Sequence, residues 1–196
     1  MHLSLTIAAV LGVALLGGCA NSPQAAFYTL SPERPHERME AGLPPAIAIG
    51  PVAVPEIVDR PQLVLRVNET QVRIDEFARW AEPLKRQIPS VIAADLAQLL
   101  PGALISSYPQ LADQATAYQV SVDVQSFESA PGDAAAVSVL WSVRPPPKLG
   151  ALVSGRSVVH ESAGAPGYDA LVAAHSRALA IVSHEIAAAI RSASRP

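Results

Sequence analysis

Tyr118-Gln119-Val120-Ser121-Val122-Asp123-Val124-Gln125 alternates large apolar or valine side chains with polar ones at every position. Successive side chains of an extended chain point to opposite faces, so this period of two predicts a strand with one buried and one solvated face. Val137, Val139, Trp141 and Val143 repeat the pattern, and Leu152 to His160 gives a third, weaker version. Pro145, Pro146 and Pro147 lie between the last two and end the second strand with a stiff connection, because proline has no N–H for a ladder.

Upstream of this block, Ala46 to Val54 is almost wholly apolar, as in a strand covered on both faces, with Pro51 at a bulge or an edge. Leu63 to Val67 and Val72 to Ile74 flank the polar Asn68-Glu69-Thr70-Gln71 and read as the arms of a hairpin. Phe27 to Leu30 reads as a short strand, and Ser31 to Pro45 as a proline-rich loop. Two helices complete the pattern. Leu84, Ile88, Ile92, Leu96 and Leu99 recur at helical spacing, with Pro83 in the first turn, Pro101-Gly102 as the stop, and Pro89 marking a kink or a second start. Leu171, Ala174, Ala178, Val182, Ile186 and Ala189 form the stripe of an alanine-rich helix from Tyr168 to Arg191. The sum is an α+β domain: a mostly antiparallel mixed sheet with two principal helices packed on it.

At the N-terminus, the apolar run from Leu3 to Leu16 is shorter than the roughly 20 residues that a membrane-crossing helix needs, and it ends at Leu16-Gly17-Gly18-Cys19. That segment resembles the lipobox of bacterial lipoproteins. The resemblance implies acylation of Cys19 and cleavage before it. Residues 1–18 are then a signal peptide, 19–26 an acylated tether, 27–191 a single domain and 192–196 a tail. Cys19 is the only cysteine, so no intrachain disulfide forms, and lipidation would use the thiol that an oxidising compartment makes a liability. Ala20 follows it where sorting signals that resemble the inner-membrane rule carry Asp, which points to the periplasmic face of the outer membrane.

A formal charge of −3 without clustered Lys and Arg argues against a nucleic-acid surface. Charged residues are 16% of the chain, against about 25% in a typical soluble domain, which leaves surface for a partner or lipid. His184-Glu185 begins like a zinc-protease motif, but Ala188 stands where the second histidine belongs. His175 and His184 both read as solvated helix positions. With no nucleophile elbow, phosphate loop or dinucleotide fingerprint, the sequence predicts no catalytic residue, metal or cofactor, and no enzyme.

Two segments are chemically dense: Pro55 to Gln62, containing Asp59-Arg60-Pro61, and Arg79 to Leu84, containing Trp80 and Glu82-Pro83. With Gly50-Pro51-Val52 and Tyr28-Thr29-Leu30, they resemble the PqiC-like auxiliary lipoproteins of MCE-type ABC transport systems. The resemblance implies an adaptor that contributes no chemistry and moves phospholipids between membranes with its partners. Those partners would be an MCE-domain tunnel protein and, indirectly, an inner-membrane ABC transporter or permease. A homo-oligomer is compatible with that role. Asp59, Arg60, Pro61, Trp80, Glu82 and Pro83 are the candidates for partner binding, and the same residues also suit a purely structural role in fixing a turn and a helix start. A lipid carrier that encloses an acyl chain is the competing function.

Overall fold

A computed structural model describes residues 23–33, 46–107, 116–147 and 149–193. Cys19, the lipobox and the signal run lie outside them, as does the end of the tail. The long strand predicted from the alternation is the axis of the sheet. It is β6, Tyr118–Ser129, and it pairs antiparallel with β7, Ala134–Arg144, which in turn pairs antiparallel with β8, Val153–Ser162. The turn between β6 and β7 closes with Ala130 and Ala134 exchanging backbone bonds at 2.9 and 3.1 Å, around Gly132 at φ +76°. A positive φ of that size favours a residue without Cβ.

A strand has two edges, and β7 fills one edge of β6 along its length. The other edge is therefore shared. β2, Ala46–Ala53, runs parallel to the first half of β6 from Ile47 opposite Tyr118, and its register shifts between Ile49 and Val52. Pro51 sits in that irregularity, where no ladder N–H is needed. β5, Leu104–Ser106, adds a short parallel strand outside β2. At the far end of β6, Leu65 of β3, Gln62–Arg66, meets Ser129. β3 carries β4, Val72–Trp80, antiparallel, and β4 carries the edge strand β1, Ala26–Tyr28, parallel. The sheet is thus mixed, with its longest pairings antiparallel.

Both helices pack on one face. α1, Leu84–Leu99, buries Leu84, Ile88, Ile92, Leu96 and Leu99; α2, Tyr168–Ala193, buries the predicted stripe together with Leu179 and Ile190. They close over Val120, Val122, Val124, Val137, Val139 and Val143 of the sheet in one continuous core. Each large aliphatic chain buried there contributes about 1.5 to 3 kcal/mol. α1 is one helix through Pro89 rather than two segments, although the proline supplies no N–H to the Lys85 carbonyl. Pro83 stands one position earlier than expected, just before the helix, and its carbonyl accepts the N–H groups of Arg86 and Gln87 at 2.8 and 3.1 Å. The opposite face of β6, with Ser121, Asp123 and Gln125, is left to solvent, as the alternation requires.

Candidate functional site

The two dense segments flank the arms of the hairpin and are neighbours. An unbroken register running back from Arg66 opposite Val72 would set Gln62 opposite Glu76. Instead the register holds only to Leu63 opposite Asp75 and then jumps, so that Gln62 faces Arg79. The extra β4 residues bulge, and the Asp75 carboxylate stabilises the bulge by accepting the N–H groups of Phe77 and Ala78, each at 2.9 Å. Tyr168 of α2 donates its hydroxyl to the same carboxylate at 2.7 Å, and this bond holds the Asp75 carboxyl below the usual carboxylate range.

The bulge brings the Trp80 N–H to the Pro61 carbonyl at 2.7 Å, and the next N–H, of Ala81, to the Tyr28 carbonyl at 2.8 Å. Pro55 begins the first segment with a single helical turn, its carbonyl accepting from Val58 and Asp59 at 3.0 and 3.1 Å. Asp59 then reaches across to Lys85 at 2.5 Å, fastening this turn to α1. Asp59, Pro61, Glu82 and Pro83 are exposed and Arg60 is half-buried. Among the described residues the Arg60 Nε has no hydrogen-bond partner. The exposed Ile57 completes this surface.

Trp80 is not on it. Its ring is 5% exposed, edge-on to Phe127 at 6.0 Å and to His175 at 6.4 Å. Six candidates therefore divide into a surface group around Asp59, Arg60 and Glu82 and one side chain in the core.

His175 corrects the reading of both histidines as solvated. His184 is exposed, but His175 is fully buried, stacked on Phe127 with ring centres 3.9 Å apart and bonded through Nε2 to Ser129 Oγ at 2.7 Å. Burial pushes its pKa down to about 3, so the ring is neutral at ordinary pH. Its Nδ1 has no partner among the described residues. An unfilled acceptor is less costly there than an unfilled N–H, which assigns the proton to Nε2 and makes Ser129 the acceptor. Among the described residues no carboxylate stands behind the imidazole of this serine–histidine pair, and Ser129 is only 3% exposed. The pair lacks the orienting third group and the access that a nucleophilic pair needs. Glu185, beside His184, accepts from Ser157 at 2.5 Å, and Ser157 accepts from the Trp141 indole at 2.9 Å. Among the described residues no three His, Cys, Asp or Glu converge as metal ligands.

Sequence reasoning missed a further cluster. Thr29 to Glu33 forms a strap onto the helices, and three side chains capture its N–H groups: Gln87 Oε1 takes Leu30 at 2.7 Å, Ser176 Oγ takes Ser31 at 3.1 Å and Asp95 takes Glu33 at 3.0 Å. Gln87 also donates to the Glu82 carbonyl at 2.7 Å, tying strap and candidate surface together. Ser183 donates to Asp95 at 3.1 Å. Asp95 is 3% exposed, and burial pushes its pKa up to about 6. Polar Gln87 and Asp95 beside the apolar Ile88 and Leu96 were the available signal.

Two surface depressions open to solvent. One of about 370 Å3 lies on the uncovered sheet face over Ser121, Asp123, Leu140, Ser142 and Ser154. The other, about 470 Å3, lies beside the hairpin at Leu65, Val67, Gln71, Arg73 and Pro131.

With this geometry in place, comparison with known proteins gives a consistent result. The sequence model of a family described as ABC-type transport auxiliary lipoprotein component matches residues 28–187. A crystal structure of an uncharacterized protein superposes with a TM-score of 0.71 at 23% identity, over 86% of this chain and 99% of that one. A Xanthomonas campestris protein of the DUF330 family superposes at 0.63 and 17% identity, over 83% and 93%. At these identities the two structures establish the fold. Among curated proteins no sequence matches.

Proposed function

The chain belongs to the ABC-type transport auxiliary lipoprotein family, and on that premise we propose that it is a non-catalytic adaptor of an MCE-type phospholipid transport system. Cys19 would anchor it to the periplasmic face of the outer membrane, and an MCE-domain protein would be its direct partner. The surface around Asp59, Arg60, Pro61, Glu82 and Pro83 is the candidate contact, with Trp80 supporting it from inside.

The observation that carries the adaptor over the carrier is the continuous buried cluster that the described residues form between helices and sheet. Tyr118, Ile88, Ile92, Leu171 and Leu179 are fully buried within one continuous cluster. A carrier that encloses an acyl chain needs an internal cavity of roughly 300 Å3 or more. The depressions described above are instead open at the surface, where they suit protein contact. Arg60 supports the contact assignment: a half-buried arginine beside a proline turn has little conformational entropy to lose on binding. Native mass spectrometry of the delipidated protein tests the choice. The adaptor should fly at the mass of the chain alone, whereas one phospholipid retained per chain would establish the carrier.

A further inference from the structure

The first strand, β1, begins at Ala26, seven residues after Cys19. Seven residues span at most about 24 Å at roughly 3.4 Å each. If Cys19 carries the acyl chains, as the proposed function has it, the start of the domain lies within that distance of the lipid headgroups. The first element reached is β1, an edge strand whose only partner among the described residues is β4. Its Phe27 is 64% exposed.

The neighbouring strand supplies a second exposed ring. Ala26, Phe27 and Tyr28 are in register with Ala78, Arg79 and Trp80. Ala78 and Trp80 are buried, so alternation places residues 77 and 79, together with Phe27, on the outer face. Phe77, at the bulge, is 47% exposed, and Ile74 and Val72 continue the apolar surface along β4. The Asp75 carboxylate fixes the bulge and therefore holds Phe77 outward. Exposed aromatic rings this close to an acylated residue are out of place against water and well suited to the headgroup boundary, where apolar bodies are buried by about 5 to 10 Å.

We propose that the β1–β4 edge, through Phe27 and Phe77, docks on the phospholipid surface to which the chain is tethered. The acyl chains hold the protein at the membrane, and the two rings set its orientation.

The lone cysteine makes the test specific. Acylation consumes Cys19, so a cysteine placed at Phe27→Cys, Phe77→Cys or Val158→Cys is the only thiol available to a nitroxide label. Val158 on β8 is 61% exposed and lies five strands from β1 and four from β4, roughly 24 and 19 Å at about 4.8 Å per strand. Each full-length variant, purified lipidated from cell membranes, is labelled and reconstituted into vesicles of phosphatidylethanolamine and phosphatidylglycerol. Collision with oxygen relative to a water-soluble nickel chelate reads depth. The ratio should be several-fold higher at positions 27 and 77 than at 158. Equal, water-like ratios at all three positions, on protein whose intact mass includes the acyl group, would overturn the docking and leave the anchor standing. An intact mass without the acyl group would overturn both.

Discussion

Asp95→Asn should stabilise the domain at neutral pH, although it removes a charge that accepts two hydrogen bonds. Asp95 is 3% exposed and its folded pKa is about 6, against 3.8 in the unfolded chain. Between those values the folded protein binds a proton that the unfolded one has lost. Its stability from this group is complete below pH 3.8 and falls as pH rises through 6. The full shift corresponds to about 3 kcal/mol, and residual solvent screening reduces the expectation to about 2 kcal/mol. Asparagine keeps an acceptor for the Glu33 N–H without the buried charge. Urea denaturation of soluble protein starting after Cys19, in both versions from pH 4 to 8, should show the difference growing with pH to about 2 kcal/mol in favour of Asn. The pH-independent background cancels in the comparison. A variant that is less stable at pH 8, with a difference that does not change with pH, would refute the reasoning and show that the strap depends on an ionised Asp95.

Trp80→Ala should lower stability by about 3 to 5 kcal/mol by emptying a core site, seen in thermal or urea melts. Arg60→Ala should leave the melt nearly unchanged while weakening capture of the purified MCE-domain partner by about 2 kcal/mol; unchanged capture would remove Arg60 from the contact. At Gly155 an added Cβ would stand 2.2 Å from the Trp141 ring, so Gly155→Ala should destabilise by about 1 to 3 kcal/mol through overpacking, checked by the same melts. Cys19→Ala should take up no radiolabelled palmitate and lose function in cells while its domain, whose core signals lie beyond residue 26, melts as before; label in that variant would place the lipid elsewhere.

Where one face is buried and the other wet, the sequence carried the fold openly. The alternation of β6 and β7 and the apolar stripe of α2 needed no tertiary information. β5 escaped because three residues, Leu104–Ser106, are too few to show a period, and its place on the outer edge of β2 is set by partners distant in the chain. The candidate surface was legible as two dense segments but not as one place. How they face each other depends on the bulge after Asp75, where a carboxylate captures two backbone N–H groups and a tyrosine from another element locks it. Such a register shift leaves no periodic trace. His175 was misread for a related reason: on a helix it looks like any polar interruption, and only the packing of Phe127 and Ser129 against it shows that it is inside.

The adaptor role is tested most directly by affinity purification of the tagged, lipidated protein from mildly solubilised envelopes, with quantitative mass spectrometry of what accompanies it. An MCE-domain protein should be enriched with the wild-type chain and reduced several-fold in Arg60→Ala at equal recovery of the bait. An envelope that contains the MCE-domain protein but yields none of it with the wild-type chain, before or after cross-linking, would contradict the account.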